Sequence, residues 1–124
     1  IRIMIDCIIV GIGGFIGTVC RYLIGLIPVN EGTVFPVKTF LINIAGSFII
    51  GIVAALALKN SSLNPRLVSF LRIGICGGFT TFSSFALETA DLMKNGNSGA
   101  AMAYVLLSVV LGIAAVFAAQ AVVR

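Results

Sequence analysis

Residues 77–88 concentrate much of the polar chemistry of the chain, reading Gly77-Gly78-Phe79-Thr80-Thr81-Phe82-Ser83-Ser84-Phe85-Ala86-Leu87-Glu88. Two adjacent glycines and four hydroxyls occupy the middle of an apolar run, where a lipid-facing helix would carry Leu or Val. Each glycine weakens a helix by about 1 kcal/mol relative to Ala. The pair therefore predicts a helix broken near residues 77–80, from Gly77 to Thr80. Unwinding inside a membrane frees carbonyls that must find partners, and a bound cation is one such partner. A glycine kink packed against a neighbouring helix is the other reading of the same residues.

Phe79, Phe82 and Phe85 recur every three residues and form a stripe along this helix. Ring edges are electropositive, so a ladder of edges can solvate a small anion without a full positive charge; simple packing also explains such a stripe. Beside it runs a second stripe, Thr80, Ser83, Ser84 and Glu88, at i, i+3, i+4 and i+8. Other segments carry matching polar lines: Thr39, Asn43 and Ser47 on one, Tyr104 and Ser108 with Gly112 on another. An Asn amide can donate to an anion or tie two helices together. Several polar stripes in one small bundle point to a hydrated path.

The elements that must hold these residues follow from composition. Of 124 residues, 60% are hydrophobic and 10% charged, whereas a soluble domain has about 25% charged. Mean hydropathy is +1.19. Four spans of about 20 residues need about 80 apolar positions, which the hydrophobic residues and 14 glycines supply. These figures exclude a soluble enzyme, a disordered chain and a disulfide scaffold. Apolar segments run over about 3–27, 37–58, 66–93 and 100–123, separated by polar breaks at 28–32, 59–65 and 94–99. They are too long for core strands and lack alternation, so the expected fold is an all-α membrane protein, one domain over 1–124 with four transmembrane helices. The first segment is too long for a signal peptide and lacks a clear cleavage site.

The net charge is +4, but the charges are scattered toward segment ends, which suits membrane anchoring and not nucleic acid. There is no His, hence no usual metal ligand or neutral-pH base. Cys7, Cys20 and Cys76 lie in apolar runs without a CxxC and read as small buried hydrophobes. Gly11-Ile12-Gly13-Gly14-Phe15-Ile16-Gly17 fails as a dinucleotide motif, with Ile16 where Gly is needed and no βαβ context. No enzyme is expected.

With both termini on one side, that side holds Arg2, Lys59, Arg66, Arg72 and Arg124, and the other Arg21, Lys38 and Lys94. So weak a bias allows insertion both ways up, giving antiparallel partners; ordinary insertion with termini inside is the alternative. Gly13/Gly17, Ser47/Gly51 and Gly74/Gly78 have small-xxx-small spacing, which predicts close helix packing within or between chains and an oligomer.

The chain resembles the Fluc (CrcB) family of microbial fluoride channels along its whole length. The resemblance is carried by Gly13-Gly14-Phe15-Ile16-Gly17 with Arg21-Tyr22, by Asn43-Ile44-Ala45-Gly46-Ser47-Phe48, and by Gly77 through Phe85 with Glu88. It departs at Lys38, where many relatives have Gly before the Thr. The resemblance implies an antiparallel, dual-topology homodimer in the bacterial cytoplasmic membrane, with two pores and a central structural Na⁺. It implies that Phe82 and Phe85 line the pores, that Asn43 supplies a donor, and that the carbonyls of Gly77 and Thr80 from both chains hold the Na⁺. Ser83 and Ser84 would belong to a polar track, with Tyr104 and Ser108 as its members on the fourth segment. Arg21 would draw anions into a vestibule, and Glu88 would sit near a pore. The implied partners are a second copy, fluoride and lipid; the implied role is passive fluoride export.

The rival by size and span number is a small multidrug-type antiporter. Those transporters couple to protons through an acidic residue at the middle of the first span. Here Asp6 lies near its start, and there is no Trp for an aromatic drug site.

Overall fold

A computed structural model describes residues 1–29 and 32–124. Asn30 and Glu31, part of the first polar break, lie outside the described residues. The elements are α1 (Arg2–Gly25), α2 (Val37–Lys59), α3 (Pro65–Ser69), a π-helical stretch (Phe70–Cys76), α4 (Gly77–Phe79), α5 (Phe82–Lys94) and α6 (Ser98–Val123). Four helical segments are long and apolar enough to cross a membrane: α1, α2, the composite Pro65–Lys94 and α6. The four expected spans are thus present.

Local chemistry sets the ends. Asn64 caps α3 by accepting from the Arg66 N–H at 2.9 Å, and Pro65 opens that helix, where its missing N–H costs nothing. Gly96 turns with φ +80, between α5 and α6. Two lysines close C-terminal carbonyls of neighbouring helices: Lys38 Nζ donates to Gly25 O at 2.8 Å, and Lys59 Nζ to Val123 O at 3.1 Å. The Asp6–Arg66 ion pair, at 2.8 Å, ties the start of α1 to the start of the third span. These contacts put both termini at one end of the bundle.

The spans pair through glycine. A Cβ at Gly13 would lie 2.6 Å from Phe70 O, and one at Gly17 would collide with Ile75 O. A Cβ at Gly78 would lie 2.5 Å from Gly14 O. The third span therefore lies backbone against backbone on α1, as the spacing of Gly13/Gly17 and Gly74/Gly78 predicts. Likewise Gly51 meets Ala119 and Val116 where α2 crosses α6, and Gly112 faces Ser47 Oγ. Between α5 and α6, Leu92, Ala101 and Tyr104 form a small core with Phe35, Phe40 and Phe85 packed on it.

The third span is interrupted near the expected place, at Thr80, but the glycines are not where it unwinds; that attribution and the reading of the cysteines are corrected. Gly77 is helical, with φ −63 and ψ −36, and Gly77 and Gly78 both belong to α4. The chain leaves the helix at Thr80 (φ −85, ψ 158) and Thr81 (φ −149, ψ 115). Gly78 is there for the close approach of Gly14, not to unwind the backbone. The cysteines also divide: Cys76 is buried, whereas Cys7 and Cys20 are exposed on α1. Lipid is as apolar as a protein core, so an apolar neighbourhood in sequence does not distinguish a buried position from an outward one.

Candidate functional site

The break at Thr80–Thr81 is built by side chains that take over backbone bonding. The Thr81 N–H donates to Asn43 Oδ1 at 2.9 Å, and Asn43 Nδ2 donates back to Thr81 O at 3.2 Å. Thr81 Oγ1 caps α5 by accepting from the Ser84 N–H at 3.1 Å. Gly78 O, at the end of α4, accepts from Arg21 Nε at 3.1 Å and from Thr18 Oγ1 at 3.4 Å. A guanidinium there also suits the negative end of a helix dipole.

Two cavities flank the break and share Thr81 as a wall. The first, about 380 Å³, is lined by Asn43, Ser47, Thr80, Phe82, Phe85 and Ser108, with Gly77 at its edge. No charged side chain of the described residues lines it. Ser108 Oγ is buried with no hydrogen-bond partner among the described residues, and a buried unpaired hydroxyl is costly unless something else satisfies it. The second cavity, about 450 Å³, is lined by Arg21, Lys38, Thr39, Ser84 and Glu88 among others. Glu88 is held at both oxygens: Thr39 Oγ1 donates to Oε2 and Tyr104 Oη to Oε1, each at 2.7 Å.

The expected site residues fall into distinct places. Asn43, Phe82, Phe85 and Ser108 share the first cavity, and Arg21, Ser84 and Glu88 the second. Tyr104 is fully buried and does not line either cavity. Its ring meets Phe85 edge-on, 5.0 Å between centroids, and its hydroxyl serves Glu88. Ser83 is exposed and within 3.4 Å of Thr81 Oγ1. Phe82 is 79% exposed in the single chain, although it stacks at a tilt against Phe85, 5.8 Å away.

Thr81 is the residue that sequence reasoning missed. Its signal was available: a Thr followed three residues later by the helix's Ser84 is an N-cap pattern. Asn43 as its partner was not legible, because 38 residues separate the two.

Among the described residues no cluster of three His, Cys, Asp or Glu side chains could hold a metal ion. A cation on the side of the first cavity would meet neutral oxygens, since none of the described residues lining it is charged. Gly77 O and Thr80 O are suitable: each has lost its helical donor, Thr81 N–H to Asn43 and Ser84 N–H to Thr81. Hard carbonyl oxygens without a carboxylate suit a hard cation of low charge.

A four-span helical bundle with an interrupted third span, and cavities bearing hydroxyl and amide groups that meet at the interruption, is a multi-pass membrane protein. The family described as CrcB-like protein, Camphor Resistance (CrcB), matches residues 8–120. This chain belongs to that family. Among similar proteins, the "Fluoride-specific ion channel FluC" of Chlorobaculum tepidum is 44% identical over 93% of this chain and 91% of its own length. The protein of the same name from Agrobacterium fabrum is 45% identical over 98% of both. That from Methylobacterium radiotolerans is 48% identical over 89% of this chain and 78% of its own. The shared name is that of an ion channel, not an enzyme, and the relatives give the antiporter alternative no support. With four spanning helices and these bacterial relatives, the chain is a multi-pass membrane protein.

Proposed function

We propose that this chain is the subunit of a fluoride channel that lets fluoride leave the cell passively. The observation that carries the reading is the uncharged cavity of Asn43, Ser47, Phe82, Phe85 and Ser108, in a chain whose relatives bear a fluoride-channel name. Fluoride is small and strongly hydrated, so a pathway must replace water's donors while binding weakly enough for exit. Amide N–H, hydroxyls and ring edges do so without a trapping charge. Asn43 spends one N–H on Thr81 O, and its amide has a second. Ser108 Oγ has no protein partner among the described residues. Phe82 and Phe85 offer ring edges, and Ser83, Ser84 and Tyr104 extend the polar track. Arg21 and Glu88 belong to the vestibule, the second cavity, where Lys38 adds positive charge.

A second copy, antiparallel to the first, completes the site in this reading. Gly77, Phe82 and Ser83 are exposed in the single chain at mid-span. A freed carbonyl and a hydroxyl cannot face hydrocarbon and need protein or water over them. Two copies give two pores and bring the carbonyls of Gly77 and Thr80 together as a cage for a structural Na⁺. When bound, the ion supplies a fixed positive charge that offsets the carbonyl dipoles of both chains.

The test is fluoride efflux from liposomes holding the purified protein, read with a fluoride-selective electrode and compared with chloride. Rapid fluoride release without chloride release is expected. Efflux no faster than from empty liposomes would overturn the proposal.

A further inference from the structure

The freed carbonyls at the break are selected by particular side chains. In an uninterrupted helix the Thr81 N–H would bond to Gly77 O, and the Ser84 N–H to Thr80 O. Asn43 Oδ1 takes the first at 2.9 Å and Thr81 Oγ1 the second at 3.1 Å. Of the two carbonyls lying between, Gly78 O is given side-chain donors by Arg21 and Thr18, and Phe79 O also parts from its helical donor where the chain turns extended. Asn43 grips Thr81 on both its N–H and its carbonyl, so Thr81 is held in extended backbone as if paired in a sheet.

We infer that Asn43 and the Thr81 hydroxyl are positioning residues that create the pair of free acceptors, Gly77 O and Thr80 O, by capturing their helical donors, and thereby set the affinity of the break for a cation. This rests on the cation reading given above. It assigns Asn43 a role separate from donation to fluoride, and it divides two adjacent threonines. Thr80 contributes its carbonyl, while its hydroxyl bonds back to Cys76 O at 2.9 Å. Thr81 contributes its side chain. Replacing Thr80 by Val keeps the methyl that packs on Gly46 and leaves the acceptors free. Replacing Thr81 by Val removes the cap that holds the Ser84 N–H, and Thr80 O regains that donor only as the extended backbone at Thr80 and Thr81 closes back into helix.

The experiment is a Na⁺ titration of thermal unfolding of the purified protein in fluoride-free detergent buffer, with choline replacing Na⁺. The Na⁺ concentration giving half of the Tm shift should rise about tenfold or more in Asn43→Leu and Thr81→Val, as expected for loss of about one charge-assisted acceptor. It should stay within about twofold of wild type in Thr80→Val and Thr81→Ser, since neither loses the captured donor. Unchanged midpoints in both Asn43→Leu and Thr81→Val would overturn the inference and leave the cation reading standing. A wild type whose Tm ignores Na⁺ would overturn both. Should Asn43→Leu not fold, the isosteric Thr81→Val carries the test through a ¹³C=¹⁸O label on the Thr80 carbonyl. Its amide I band should move to the hydrogen-bonded helical position, and an unmoved band refutes the capture.

Discussion

Phe82 and Phe85 are three residues apart but differ in what holds them. Phe82 is mostly exposed in the single chain, whereas Phe85 meets Tyr104 edge-on. Phe82→Ile should therefore cost the chain less, since it loses only the tilted contact with Phe85 on an exposed ring. Phe85→Ile should cost about 0.5–1.5 kcal/mol for the lost aromatic pair. If ring edges solvate fluoride, both should cut efflux by about tenfold or more per reconstituted protein, since the replacement keeps bulk but not the electropositive edge. Wild-type efflux in both variants would remove the aromatic filter even if the protein conducts fluoride. Ser108→Ala separates another pair of roles. Losing an unpartnered buried hydroxyl should be neutral or stabilising in melting experiments, yet it should slow efflux if that hydroxyl donates to fluoride. Faster or unchanged efflux would strike Ser108 from the pathway. Asn43, Phe82, Phe85 and Ser108 were all legible as candidates, because a polar or aromatic stripe in an apolar helix stands out. That they share one cavity, while Tyr104 instead donates to Glu88, required the packing of the third span against both α2 and α6.

The third span shows how one element is composed of unequal parts. Its glycines serve the α1 interface, and its interruption is made two residues later by Asn43 and Thr81. Adjacent glycines should therefore respond differently to substitution. A Cβ at Gly78 would press on Gly14 O and Cα, at 2.5 and 3.0 Å, with backbone that cannot yield cheaply. Gly78→Ala should destabilise the chain by about 1–3 kcal/mol, the usual range for overpacking. A Cβ at Gly77 meets nothing closer than Arg72 O at 4.0 Å. Gly77→Ala should leave the fold of the single chain intact, and its effect should fall on the proposed pairing of two copies, measured as the dimer fraction in detergent at fixed lipid. Equal melting losses at both positions would contradict this division. The π-helical stretch at Phe70–Cys76 directly precedes the pair. Such widened turns recur at functional sites, and nothing in the composition of the segment announced it.

At the scale of the molecule the orientation in the bilayer is the open property that the charges address. Arg66 is paired with Asp6, and Lys38 and Lys59 are spent on helix ends. So several of the eight Lys and Arg residues act in local structure as well as in the topological bias. In a background lacking the native cysteines, Thr33→Cys and Ser61→Cys place exposed thiols in the first and second loops. An impermeant thiol reagent added from one side of the membrane should label each position in about half of the molecules, as dual insertion of a weakly biased chain requires. Complete labelling of one loop and none of the other would exclude the antiparallel arrangement.

The number of spans, their limits to within a few residues and the placing of hydroxyls, an amide and rings within them were determined by the sequence alone. The reason is that a bilayer imposes its demands locally: every spanning residue must be apolar or have a purpose, and every helix must satisfy its own backbone. The glycine spacing likewise carried the α1 contact, since close backbone approach has few chemical solutions. The point where the third span leaves the helix was decided only by tertiary structure. So was the choice of which carbonyls lose their donors, and the division of the polar stripe between two cavities. Those depend on side chains from α1 and α2, brought alongside from 38 to 60 residues away: Asn43 takes the Thr81 N–H, while Thr18 and Arg21 donate to Gly78 O. A pattern of apolar and polar positions does not rank such partners; the three-dimensional arrangement does, because a hydrogen bond forms only with the partner that geometry places within reach.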